Sequence, residues 1–278
     1  MRNYKWQVSG LLVASIAATL FSTSAVAAIN YSFTGGSGQA VTGSSFSAAG
    51  GPNVVVTGWS NTVAAGASGL DDDKLAAQTV KLWNGLGVSS SGESTSAPQH
   101  STDNSGPVEM VLFSFAADIA LAGLSIGWSQ TDSDMTVLAY TGGGVASSLA
   151  GKTYSQLTAV GGGWSLISHL SNVSNVSSNS SSITGSAAFN TGTSPIFSSY
   201  WLVGAYNPIV GSSPGWTRDN DFVKISGLTG STKPTGAGQV PEPATLLLMG
   251  AGLLGMTYVR RRETPVKSGG KAGNTLSC

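Results

Sequence analysis

Glu93, His100, Asp103 and Asn104 lie close together in the chain, just ahead of an apolar run at residues 108–115. Carboxylate and amide oxygens suit a hard cation such as Ca²⁺. The same residue types also fix loops, because Asp and Asn side chains bond nearby backbone amides. Only two carboxylates are in local reach, and imidazole is a poor ligand for a hard cation. The four residues therefore read as a ligand site or, preferentially, a loop-structuring set. No metal site or cofactor is expected, and Ca²⁺ is the one ion these donors would suit. Asp71-Asp72-Asp73, Asp132-Ser133-Asp134 and Asp219-Asn220-Asp221 offer similar oxygens. None continues into an EF-hand loop, so each is expected to be an exposed turn.

Two enzyme-like motifs are present. Gly123-Leu124-Ser125-Ile126-Gly127 spells a nucleophile elbow, which needs a strand, a sharp turn and then a helix. Here Ser125 sits in an alternating run and Trp128-Ser129-Gln130 is a poor helix start. The chain has only two histidines, His100 and His169, so a triad base would have to be His169. Gly151-Lys152-Thr153 ends like a phosphate loop, but Ala146 stands where its first glycine belongs. A non-enzymatic protein is expected. A secreted hydrolase is the distant alternative, because the two carboxylates of a glycosidase need not be neighbours in sequence.

Short apolar runs must position these residues. They fall at 31–33, 53–57, 79–83, 108–115, 119–128, 135–141, 164–168, 183–189, 201–206 and 221–226, punctuated by Gly, Asn, Asp and Ser. Leu124, Ile126 and Trp128 alternate with Ser125 and Gly127, the period of a half-buried strand. Residues 108–115 are almost continuously apolar, as in a central strand. The expected fold class is all-β, a jelly-roll-like β-sandwich flanked by an N-terminal signal helix and a C-terminal transmembrane helix. Only residues 70–78 and 153–160 suit a helical turn or two. Residues 171–182, nearly all Ser and Asn, read as an exposed loop or a linker. Charged residues are only 9% of the chain, but seven Trp, seven Tyr and eight Phe argue for a packed core rather than disorder.

The ends carry addresses. Arg2 and Lys5, an apolar stretch at 11–21, and Ala25-Val26-Ala27 form a secretory signal peptide with cleavage expected after Ala27. Near the other end, Val240-Pro241-Glu242-Pro243 precedes 16 uncharged residues, 244–259, and then Arg260-Arg261-Arg262. As a helix the uncharged stretch spans about 24 Å, a gap from a ~30 Å hydrocarbon core that snorkelling arginines can close. The arginine cluster would keep this end cytoplasmic. Pro241 and Pro243 hold the box out of the helix and extended. The expected organisation is a signal peptide at 1–27, a surface domain at 28–228, a flexible stalk at 229–239, a sorting signal at 240–262 and a cytoplasmic tail at 263–278. With both signals removed, the body has six basic and eleven acidic residues, which argues against nucleic acid as a partner. The one cysteine, Cys278, lies beyond the processing box, so the mature body holds no disulfide.

The Pro-Glu-Pro box, short hydrophobic helix and arginine cluster, on a chain with a signal peptide, resemble the PEP-CTERM sorting signal of Gram-negative, biofilm-forming bacteria. That resemblance implies export through the secretion translocon and an inner-membrane precursor. An exosortase would then cleave near the box and release the body to the cell surface or exopolysaccharide matrix. The tail from Glu263 to Cys278 departs from the family, which usually ends soon after the basic cluster. A second resemblance covers residues 80–226. Trp83-Asn84-Gly85-Leu86-Gly87-Val88, Gly92-Glu93, Ala97-Pro98-Gln99-His100, Asp103-Asn104, Gly127-Trp128, the segment 199–207 and Asn220-Asp221 are similar to the exosortase-dependent surface protein family, to which no reaction is assigned. The expected function is a non-enzymatic surface or matrix protein. The main alternative is a carbohydrate-binding module in which Trp128, Trp164, Trp201 and Trp216 offer stacking faces.

Overall fold

The computed structural model describes residues 27–62, 72–93, 98, 100–174 and 184–233, all within the unit Val26–Pro234. The strands are β1 (Ile29–Ser32), β2 (Gln39–Ala40), β3 (Ser45–Phe46), β4 (Val54–Ser60), β5 (Ala76–Leu82), β6 (Leu86–Ser89) and β7 (Thr102–Asp103). They continue with β8 (Glu109–Thr131), β9 (Met135–Tyr140), β10 (Trp164–Leu170), β11 (Gly185–Ala188), β12 (Ser198–Ala205) and β13 (Asp221–Thr232). One short helix, α1 (Tyr154–Thr158), lies between β9 and β10.

The all-β expectation matches the structure, and the strands close on themselves. β4, β5, β6 and β13 follow one another, and β8 pairs with both β4 and β13, which completes a five-strand ring. Closure depends on β8, which the sequence presents as two runs and the structure makes one strand of 23 residues. Its first part pairs with β4, from Val54 opposite Phe115 to Ser60 opposite Glu109. Its second part pairs with β13, from Thr232 opposite Ile119 to Asp221 opposite Thr131. Between the two, Ala116, Ala117 and Asp118 are all exposed, breaking the in-out alternation. The small alanines let the strand turn there without leaving the sheet, and a ring replaces the two separate layers of a jelly roll.

From the first part of β8 the sheet continues through β12, β9 and β10. Within this extension β9 and the second half of β12 are buried on both faces, which explains their nearly continuous apolar runs, whereas β10 at the edge exposes Leu166. Trp201 and Val203 of β12 enter the main core with Val111, Phe113, Val137 and Ala139. Leu202 points the other way, into a second core with Met110, Leu138, Leu75, Tyr154 and Leu157. α1 serves that second core. Thr153 caps it with a reciprocal Gln156 box, and its buried residues are Tyr154 and Leu157.

Several expectations are corrected. Of the possible helical turn at 70–78, the described residues 72–78 form no helix and lead into β5 from Ala76, whereas the one at 153–160 is α1. β13 runs on to Thr232, so residues 229–232, read as stalk, belong to the sheet. Gly230 makes this pairing feasible, since a Cβ there would stand 2.7 Å from the Ala120 carbonyl. Asn172, Val173 and Ser174 open the Ser/Asn-rich stretch, and Val173 and Ser174 are buried. Ala27 is exposed just ahead of β1. The rest of the expected signal peptide, including Ala25, lies outside the described residues. So do the box Val240, Pro241, Glu242 and Pro243, the expected transmembrane helix, Arg260, Arg261 and Arg262, and the tail. Among the described residues no helix is long and apolar enough to cross a membrane.

Candidate functional site

The fold divides the Glu93, His100, Asp103 and Asn104 set among three surroundings. Glu93 and Asp103 meet Glu109, the first residue of β8. The Ser90 amide donates to Glu93 Oε2 at 3.0 Å, and the Ser90 hydroxyl donates to Glu109 Oε1. The Asp103 amide donates to Glu109 Oε2 at 3.2 Å. Asp103 caps its own turn by accepting from the Ser105 amide at 3.0 Å, while its Oδ2 is buried without a hydrogen bond. Burial and the Glu93 charge push Asp103 up to about 8. Burial, then Asp103 and Glu93, hold Glu109 well above the carboxylate range. Glu109 is not among the residues picked from sequence. Its one signal there is an acidic residue inside an otherwise apolar run.

Asn104 belongs to a second network. Its Nδ2 donates to Asp221 Oδ2 at 2.6 Å and to the Tyr206 carbonyl at 3.0 Å, and its Oδ1 accepts from the Asp221 amide at 3.1 Å. Asp221 Oδ1 in turn accepts from the Asp134 amide at 2.8 Å. Asp132, Asp134 and Asp221 each present a carboxylate oxygen within 4.8 Å of the others. The expectation of exposed turns is therefore wrong for Asp134 and Asp221, which are 4% and 0% exposed. Burial, then Asp132 and Asp134, push Asp221 up to about 8, and Asp134 rises to about 6, chiefly by burial. Three oxygens so placed are the donor set a divalent cation would take. Asp72 differs: it is exposed and accepts from the Ser155 amide at 3.1 Å, at the start of α1.

His100 joins an aromatic stack. Its ring lies 5.1 Å from Trp83 and 6.3 Å from Trp128. The Lys224 ammonium sits 4.7 Å from the Trp83 ring and 5.1 Å from the Trp128 ring, and Lys224 is in no ion pair among the described residues. Burial lowers Lys224 to about 8. The four tryptophans named for the carbohydrate-binding alternative do not share one surface: Trp128 is in this stack, Trp164 and Trp201 are buried in separate cores, and Trp216 packs on Tyr206 and His169. Trp83, named in the sequence only as part of a family-like segment, is the exposed tryptophan among the described residues, at 46%.

Next to this stack is an open groove of about 550 Å³. Its polar lining comes from Thr34, Asn84, Ser125, Thr184, Ser186 and Ser226. Ser125 is thus a wall residue in mid-strand, opposite Ser186 of β11 and Gly227 of β13. β8 continues to Thr131 with no turn and helix after Ser125, so the geometry of a nucleophile elbow is absent there. His169 is committed elsewhere, its Nδ1 2.9 Å from the Thr136 hydroxyl. Lys152 of the phosphate-loop-like tripeptide contacts the Ser147 hydroxyl, and Thr153 is the cap of α1.

Against known proteins, the family described as the PEP-CTERM protein-sorting motif matches residues 239–262. No curated protein and no solved structure matches the chain. The motif implies an exosortase as processing enzyme and sorting to the cell surface. The chain therefore carries a PEP-CTERM protein-sorting motif, the mark of an exosortase-dependent exported protein.

Proposed function

We propose that this is a non-enzymatic surface or exopolysaccharide-matrix protein, secreted as an inner-membrane precursor and freed by an exosortase near Pro241-Glu242-Pro243. The observation that carries this reading is the sorting motif at residues 239–262. Arg2, Lys5 and the Ala25-Val26-Ala27 site bring the chain to the translocon, and the stretch 244–259 with Arg260-Arg261-Arg262 holds it in the bilayer until cleavage. Pro241 and Pro243 present an extended backbone to the protease, and Glu242, the only charge between Lys233 and Arg260, meets a basic pocket. The low charge of the body and its lack of cysteine suit a packed β domain that needs neither disulfide nor redox partner outside the cell.

Replacing Pro241, Glu242 and Pro243 together by alanine tests this reading. Cell fractionation with intact-mass analysis should find the parent released and cut near the box, without its hydrophobic stretch and tail, and the variant retained in the inner membrane at its full C-terminal length. Release of the variant at the parent's efficiency would sink the proposal.

A further inference from the structure

The residues that line the groove are chain neighbours of those in the aromatic stack. Asn84 follows Trp83, Gly127 precedes Trp128, and Ser226 lies two residues beyond Lys224 on the same strand. The turn carrying Trp83 is pinned from below. The Trp83 amide donates to the Gly85 carbonyl at 2.9 Å and the Asn84 amide to the Gly35 carbonyl at 3.1 Å. Gly85 has φ +134° and lies so close to the Lys224 backbone that a Cβ would stand 2.8 Å from it. Gly127 is closer still to the Asn84 carbonyl. An exposed indole would ordinarily sample many orientations. This one is held by His100 and by the ammonium of a 4%-exposed lysine, so binding on it costs little side-chain entropy.

The groove beside it is open, and among the described residues its lining carries no charged side chain. Among the described residues, the side chains of Ser125, Thr184, Ser186 and Ser226 make no hydrogen bond, so their hydroxyls are available to a ligand. Hydroxyl groups that donate and accept, with a fixed aromatic face next to them, complement a molecule with many hydroxyls and apolar C–H faces. An anionic ligand would want cations in the wall, and among the described residues the lining has none. The wall instead mixes hydroxyls with the carbon surface of Ile126 and of the Ser and Thr side chains, which suits the C–H faces of such a molecule as well as its hydroxyls.

We propose that the groove, with Trp83 at the turn beside it, is a binding subsite for a neutral polysaccharide. This deepens the matrix role proposed above and rests on it: Trp83 stacks on a sugar ring, and Ser125, Ser186 and Ser226 take its hydroxyls. A peptide partner is the competing occupant, and it would not depend on the serine hydroxyls together.

The test uses the full-length chain purified in detergent, so that its result is independent of whether the sorting box is processed. Titration with soluble neutral glucan oligosaccharides of β-1,3, β-1,4 and α-1,4 linkage should give calorimetric binding to at least one. Trp83→Ala should weaken it by about tenfold or more, and the double variant Ser125→Ala/Ser226→Ala should weaken it while leaving the melting temperature unchanged. The serine pair keeps the test decisive should Trp83→Ala fail to fold. Absence of binding to every probe overturns the proposal. So does binding that both variants retain, or binding only to a charged glycan that is abolished by salt.

Discussion

Asn104 and Asp221 are 117 residues apart, yet they exchange two hydrogen bonds with no solvent exposure on either. Asn104 Nδ2 donates to the Asp221 carboxylate at 2.6 Å, and the Asp221 amide donates to Asn104 Oδ1 at 3.1 Å. This reciprocal pair ties the loop after β7 to the start of β13, and the Tyr206 carbonyl ties the same amide to the end of β12. The segments joined here are three of those that resemble the exosortase-dependent surface proteins. The network thus gives a physical reason for those residues to go together: each supplies one partner of a buried polar set that must be complete.

Removing Asn104 leaves a buried carboxylate and a buried amide short of partners. Asn104→Ala should therefore cost about 2–4 kcal/mol, a fall of roughly 5–15 °C in Tm for a domain of this size. Asn104→Asp should cost more, because it sets a second carboxylate against Asp221. Thermal unfolding followed by far-ultraviolet circular dichroism reads both. An Asn104→Ala protein melting within 2 °C of the parent would show that the pair is dispensable.

The Glu93, Asp103 and Glu109 group sets a pH dependence whose sign is fixed. All three are raised in the folded state, Asp103 to about 8, so folded protein binds more protons than unfolded chain between the ordinary carboxylate range and that value. The stability they confer is fully present near pH 4 and is lost as pH rises toward 8. Urea midpoints taken in chelator across that window should decline with pH. Glu93→Gln removes one charge while keeping an acceptor for the Ser90 amide. It should raise the midpoint at pH 8 and leave it nearly unchanged at pH 4.5. A midpoint that climbs with pH in the parent would contradict the buried, mutually repelling arrangement.

The strand pattern was legible because alternation and apolar runs are local properties. Closure of the ring was not, since it depends on one strand turning at Ala116, Ala117 and Asp118, where composition shows only small residues and one charge. The acidic motifs show the same divide. Asp132-Ser133-Asp134 and Asp219-Asn220-Asp221 each look like a solvated turn, and only the pairing of β13 with the end of β8 brings Asp132, Asp134 and Asp221 together. Trp83 was legible as part of a family-like segment but not as the exposed ring, because exposure is set by what His100 and Lys224 cover.

The run from Gly123 to Gly127 separates a structural reading from a catalytic one. A Cβ at Gly127 would overlap the Asn84 carbonyl, which belongs to the pinned turn beside Trp83 and cannot retreat like a side chain. At Gly123 the nearest atom is the Ala187 carbonyl at 3.2 Å, which needs to give only slightly. Gly127→Ala should then cost about 2–4 kcal/mol, and Gly123→Ala less than about 1. Ser125→Ala should be nearly silent in melting temperature and in surface yield, as a small residue replaces a small one on a groove wall. Hydrolysis of a short-chain nitrophenyl ester should be at background in both parent and Ser125→Ala. Equal costs at the two glycines would refute the close approach of the Asn84 turn, and an esterase activity that disappears with Ser125 would make that serine a nucleophile despite its place in mid-strand.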